Sequence, residues 1–242
     1  VRFSGRGAMY HPHLMTVPVP TEREVWDRHW RALEKESTLF GRLASLTRKA
    51  VLRRAVRHYT DLYFPARGLF LETGCGTAQS SAWISPKERR FAGLDLSLPA
   101  LLSARGNPPH QILLGGELRS LPFPDGSIAG LWNLGVMEHF PPDEGMAILR
   151  EFRRVLAPGG CALLFWPPSF GSSRWVLAPV EWMKTRTSGR PFHFFPDEVN
   201  RLTSRAHARR MVEGGGLETV AVHFSAWDAF IHMTVVARRP LA

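Results

Sequence analysis

From Gly68 onward the chain alternates short apolar runs with stretches of helical periodicity, and this alternation constrains the fold more than any other feature. The runs Leu69–Glu72, Phe91–Leu94, Gln111–Leu114, Ile128–Asn133 and Ala162–Trp166 have the length of buried strands. Between the last two, Pro142-Asp143-Glu144 opens a helix that reaches Leu156 and is stopped by Pro158-Gly159-Gly160. Pro196-Asp197-Glu198 opens another, ended by Gly214-Gly215-Gly216. Two final strands, Leu217–Phe224 and Ile231–Arg238, then pair around the Ser225–Phe230 connection. This order predicts an α/β fold: a doubly wound, mostly parallel seven-stranded sheet with one antiparallel strand and an N-terminal helical extension.

Ahead of the alternation, Pro12, Pro18 and Pro20 mark an irregular arm. Thr21 and Glu24 have capping-box spacing and open a helix, and a second helical stretch is expected over Thr38–Tyr59. We therefore expect an arm and helical extension over residues 1–66 and one catalytic domain over 67–242. The net charge of +10 admits an anionic partner, either nucleic acid or an acidic membrane surface. The basic residues are spread along helices (Arg53, Arg54, Arg57; Arg205, Arg209, Arg210), which equally fits solvated helix faces. No apolar run approaches the roughly 18–20 residues of a membrane span, and the first residues lack the apolar centre of a signal peptide. Cys75 and Cys161 form no disulfide framework, and no Cys/His spacing reads as a metal site, so a cytoplasmic setting is expected.

The densest chemical signal is Leu71-Glu72-Thr73-Gly74-Cys75-Gly76-Thr77. A strand that feeds a Gly-rich turn and then a helix presents backbone N–H groups to a ligand, and glycine is required where a Cβ would block that approach. About 20 residues on, Asp95 ends the next strand, placed to accept hydrogen bonds from ribose hydroxyls and expected outside the core. A dinucleotide fingerprint wants a further glycine where Gln79 stands, so a nicotinamide enzyme is disfavoured.

Together these segments resemble the class I S-adenosylmethionine-dependent methyltransferases, in particular the small-molecule branch of ubiquinone-biosynthesis type. The matching residues are Glu72–Thr77, Leu94-Asp95-Leu96-Ser97, Leu121-Pro122-Phe123-Pro124-Asp125-Gly126-Ser127, Val136-Met137-Glu138-His139 and Leu149–Gly160. The resemblance implies S-adenosylmethionine as cofactor and a small-molecule acceptor, whose apolar or aromatic character is suggested by the aromatic segment after the fifth strand. It also implies roles. Glu72 meets the methionine ammonium, and Gly74, Cys75, Gly76 and Thr77 pack against the cofactor. Asp95 holds the ribose, Leu96 flanks the adenine, and Glu117, with Leu118 beside it among the cofactor-binding residues, meets its amino group. Asn133 and Leu134 line the methionine end. The chain departs from the pattern at Ala78, where a third glycine is common, and at Glu117, where the shorter Asp is usual. His139 is the nearest general base for an acceptor that must lose a proton. It also fits a packed turn residue before Pro141.

The segment from Trp166 to Phe195 is rich in aromatics, including Phe170, Trp175 and Trp182, with Arg174, Lys184, Arg186 and Arg190 among them. Its prolines predict no long regular element, and its place after the fifth strand predicts a lid-like insertion over residues 167–196, its aromatics turned to the acceptor. Two other readings remain: a nucleic-acid methyltransferase, faintly suggested by Trp166-Pro167-Pro168-Ser169, and a non-catalytic cofactor-binding module.

Overall fold

The computed structural model describes residues 21–35, 46, 48–191, 196 and 198–241. The proline-containing arm, Phe192–Phe195 and most of the stretch from Thr38 to Thr47 lie outside the described residues.

Among the described residues, seven strands form one sheet in the order β3-β2-β1-β4-β5-β7-β6. They are β1 (Arg67–Thr73), β2 (Glu88–Asp95), β3 (Ile112–Gly115), β4 (Ile128–Leu134), β5 (Leu156–Trp166), β6 (Glu218–His223) and β7 (Met233–Arg238). Only β7 runs antiparallel to its neighbours, pairing Trp166 with Met233 on one side and Thr234 with His223 on the other. The order reverses between β1 and β4, so their carboxyl ends open a crevice.

Strand residues alternate between two apolar layers. Leu71, Leu131, Leu164 and Val235 face α4 (Pro142–Val155) and α6 (Arg205–Gly214). Phe70, Trp132, Phe165 and Val236 face α2 (Arg53–Tyr63), which supplies Ala55, Val56 and Tyr59. Helix α2, assigned by sequence to the extension, thus covers one face of the sheet. A π-helical turn, Arg48–Leu52, leads into it. Two further helices are α1 (Glu22–Lys35) and the short α3 (Leu98–Ala104).

Local chemistry explains the helix starts. Thr21 N donates to Glu24 Oε2 at 2.8 Å and Glu24 N to Thr21 Oγ1 at 3.3 Å, a reciprocal capping box for α1. Helix α4 has Pro142 in its first turn with Asp143 and Glu144, and Arg153 and Arg154 in its last.

Three expectations need correction. Pro158-Gly159-Gly160 does not follow a helix that ends at Leu156: α4 ends at Val155 and β5 runs through the three residues. The helix expected from Pro196 begins at Arg205, capped by the Ser204 hydroxyl, which accepts from His207 N at 3.0 Å. The backbone before it is already in use, since Asn200 N donates to Glu138 O at 2.9 Å and Leu202 N to Pro167 O at 3.2 Å. The segment after β5 does hold a long regular element, α5 (Ser172–Ser188), with Pro179 inside it. A proline frees the carbonyl four residues back; that carbonyl belongs to Trp175, which is exposed to water.

Candidate active site

The loop after β1 bends at Gly74 (φ +66°) and Gly76 (φ +51°), conformations that favour glycine. A Cβ at Gly74 would lie 2.7 Å from a Val136 methyl, and one at Gly76 would lie 2.5 Å from the Trp30 indole. Cys75 N donates to Leu94 O at 3.0 Å, tying the loop to β2. Burial, with Glu72 and Asp95 nearby, raises the Cys75 thiol well above its usual range, so it packs as a neutral group. Ala78, where the third glycine was missed, also adopts a left-handed φ of +55°. The loop continues into a 3-10 turn, Gln79–Ser81, in place of the expected α-helix. The Arg53 guanidinium donates to Gln79 O at 2.6 Å and pins that turn.

Asp95 closes the loop from the β2 side. Its two carboxylate oxygens accept from Gly76 N at 2.7 Å and Ser97 N at 2.8 Å. Burial raises its pKa, and the two amides oppose that shift by stabilising the charge. The carboxylate is therefore buried structure as well as strand-end chemistry, contrary to the expectation that it stands outside the core. Each oxygen keeps a lone pair for a ribose hydroxyl. Thr77 follows in the loop, its carbonyl accepting from Asn107 Nδ2 at 2.9 Å. Leu96 is half-buried on a cavity of about 210 Å³ shared with Arg23, Leu101, Leu102 and Leu113. Leu118 belongs to the core, whereas Glu117 is exposed.

Glu72 is engaged from below. Ser81 Oγ donates to one of its oxygens at 2.7 Å; His110 Nε2 lies 2.9 Å from the other, but without hydrogen-bond geometry. The same Ser81 hydroxyl accepts from Trp132 Nε1 at 3.2 Å. In this structure the carboxylate therefore belongs to a buried polar network, which the sequence reading did not foresee because His110 and Ser81 lie in unremarkable contexts.

At the end of β4 the balance is different. Asn133 is fully buried, and neither its amide nitrogen nor its oxygen has a partner among the described residues. Buried polar atoms are normally paired, so an orphaned carboxamide beside a glycine crevice points to a ligand. Leu134 is half-buried and packs against the aromatic layer. Glu138 was quoted in the sequence motif but given no role. It is buried with Oε2 unpartnered, and desolvation pushes its pKa up to about 8. His139 Nε2 lies 3.7 Å from Glu138 Oε1, and its ring meets Trp26 edge-on at 4.9 Å.

Helix α1 spans these strand ends. Trp30 lies on Gly76 after β1, Asp27 Oδ1 accepts from the Ser97 hydroxyl at 2.7 Å after β2, and Glu22 pairs with Arg119 at 3.0 Å after β3. Trp26 meets His139 after β4. The cover over the crevice is α1, which the sequence reading recognised as a helix without assigning it this role. The expected cover, α5, has no buried residue among those described, and Phe170 at its root rings with Phe224, not with the glycine loop.

The glycine cradle, the carboxylate that organises it and the orphaned carboxamide fit an adenosyl amino-acid cofactor, and the comparisons agree. A family profile described as a methyltransferase domain matches residues 71–164. A Mycolicibacterium smegmatis protein named for S-adenosylmethionine-dependent methyl transfer is 35% identical over 148 residues, covering 61% of this chain and 51% of that protein. A malonyl-[acyl-carrier protein] O-methyltransferase of Erwinia pyrifoliae is 37% identical over 115 residues, covering 45% of this chain and 40% of that one. The chain spans about half or less of the length of these curated relatives. Among solved structures, magnesium protoporphyrin IX methyltransferase of Synechocystis with bound SAH has the same fold. It superposes with a TM-score of 0.62 at 16% identity, covering 90% of this chain and 97% of that one. Residues 71–164 are thus similar to a methyltransferase domain, the curated relatives named here are methyltransferases, and the fold is that of a methyltransferase solved with bound SAH.

Proposed function

We propose that the protein transfers a methyl group from S-adenosylmethionine to a small-molecule acceptor, apolar or aromatic in character, as in the ubiquinone-biosynthesis-type branch. The observation that carries the reading is the left-handed Gly74/Gly76 turn tied to Asp95, with the unpartnered Asn133 carboxamide at the adjoining strand end. Asp95 holds the ribose through its remaining lone pairs, with Leu96 and Leu118 flanking the base and Glu117 reaching its amino group. Asn133 and Leu134 line the methionine end, Gly74–Thr77 packs along the chain, and Glu72 acts on the ammonium through the polar network it shares with Ser81. The cofactor supplies a sulfonium methyl that needs no further activation, so the protein's work is alignment and exclusion of water. For an acceptor that must lose a proton, His139 takes it, with the Glu138 carboxyl behind it. The described part of the insertion, residues 167–191, borders the acceptor side of the crevice.

The relatives' names describe acceptors as unlike as a malonyl carrier protein and a magnesium porphyrin, so the acceptor is proposed as a class only. Calorimetry with S-adenosylhomocysteine and NAD tests the cofactor half: the first binds and the second does not. Incubation with methyl-labelled cofactor and fractionated cell extract tests the rest. Label in small organic-soluble metabolites is expected; label confined to RNA moves the assignment to nucleic acid, and no label anywhere leaves a binding module.

A further inference from the structure

Helix α5 exposes large apolar side chains. Its half-buried residues are Ser172, Ser173, Leu177, Ala178, Val180, Glu181, Lys184 and Thr185, so the inner side is a mixture of small apolar and polar groups. Its exposed residues include Trp175, Pro179, Trp182 and Met183, with Arg174 and Arg186 beside them. Trp175 is 79% exposed, Trp182 64% and Met183 54%. A helix that only borders water places charge outward and apolar groups inward; here two tryptophans seven residues apart define the outer face. The apolar surface continues at the root of the helix, where exposed Phe170 and Phe230 both ring with Phe224. That root is fixed, since Ser172 N donates to Phe230 O at 2.9 Å and Ser172 Oγ to Ala229 O at 2.6 Å.

From this exposed aromatic face we infer that α5 docks the protein on an anionic lipid surface, laying Trp175 and Trp182 into the headgroup boundary. Charge complementarity selects the occupant. Arg174, Arg186 and Arg190 accompany the tryptophans, the segment's single acid Glu181 is half-buried, and the Arg186 guanidinium lies 5.6 Å from the Trp182 ring centroid. A convex helix with exposed tryptophans and flanking cations suits the headgroup region, where indoles sit at the boundary and cations meet anionic lipid. Docking through α5 brings the carboxyl edge of β5, and with it the mouth of the crevice, to the membrane. Acceptors dissolved in the bilayer then become the accessible class.

The test is flotation of the full chain with vesicles, read without cofactor or acceptor so that its outcome is separate from methyl transfer. The protein is expected to float with equimolar phosphatidylglycerol and phosphatidylcholine at low salt and to stay behind with phosphatidylcholine alone. W175S/W182S and R174A/R186A/R190A, each shown to be folded by its melting curve, lose about tenfold or more in vesicle affinity. R209A/R210A, two exposed cations on α6, stays within about twofold of the parent. Absence of flotation overturns the inference. So does binding that survives W175S/W182S, or that falls as far in R209A/R210A, since either reports net charge alone.

Discussion

Helices α1 and α5 each carry two tryptophans at the carboxyl edge of the same sheet, and they treat them in opposite ways. In α1, Trp26 and Trp30 are half-buried against His139 and Gly76, and the helix is tied by side chains to four successive strand ends. In α5, Trp175 and Trp182 point to solvent, and the half-buried side mixes Leu177, Ala178 and Val180 with polar residues. Aromatic richness therefore does not identify a cover. What distinguishes the two is what lies beneath the indoles: α1 lies over glycines and short polar side chains that admit them, whereas those of α5 are left exposed.

The floor gives the largest expected effect. Asp95→Ala leaves the amides of Gly76 and Ser97 without their acceptor, which should cost about 3–5 kcal/mol of stability together with cofactor affinity. A chemical melt of the variant reads the first and calorimetry the second. A loss below about 1 kcal/mol would mean that α1 rests on a loop held by other contacts.

Glu138 comes next, under the Trp26–His139 contact. Its folded pKa of about 8 stands above the ordinary 4.5, so the native state keeps a proton that the unfolded chain releases between those values. Stability contributed by this group is therefore complete below pH 4.5 and falls as pH rises toward 8. Glu138→Gln removes the titration: near-equal urea midpoints are expected at pH 5, and at pH 8.5 the variant should be more stable by about 2–4 kcal/mol. The same difference at both pH values would show that Glu138 ionises freely in the folded protein.

Trp30→Ala separates a roof from a competitor. The indole sits where a Gly76 Cβ would be, so nothing else can lie against that glycine while it remains. The variant should lose about 1–3 kcal/mol of stability and bind S-adenosylhomocysteine roughly 3–10-fold more tightly, because opening no longer draws on the binding energy. Weaker binding by Trp30→Ala would instead make the indole part of the cofactor's seat.

The smallest effect belongs to α5. W175S/W182S should change the unfolding free energy by less than about 0.5 kcal/mol, since neither ring is packed. A loss comparable to that of Trp30→Ala would erase the contrast between the two helices.

Much of this was legible in the chain. The alternation from Gly68 predicts all seven strands, because each apolar run is long enough to cross a sheet and too short for a helix. It misses the start of β5, which begins at Leu156 and not at Ala162. The capping box at Thr21 places the start of α1, since that signal is complete within four residues. Gly74, Gly76 and Asp95 could be named because glycine and a strand-end carboxylate are local requirements of the turn. Tertiary structure alone decided the rest. Pairing of Asn200 and Leu202 with Glu138 and Pro167 delayed α6 by claiming backbone donors that a helix would otherwise use. Glu72 was drawn into a network with Ser81 and His110, residues nine and 38 positions away. Which tryptophan pair covers the crevice was settled by the packing partners available to each helix, and a partner distant in sequence leaves no mark on the periodicity of either one.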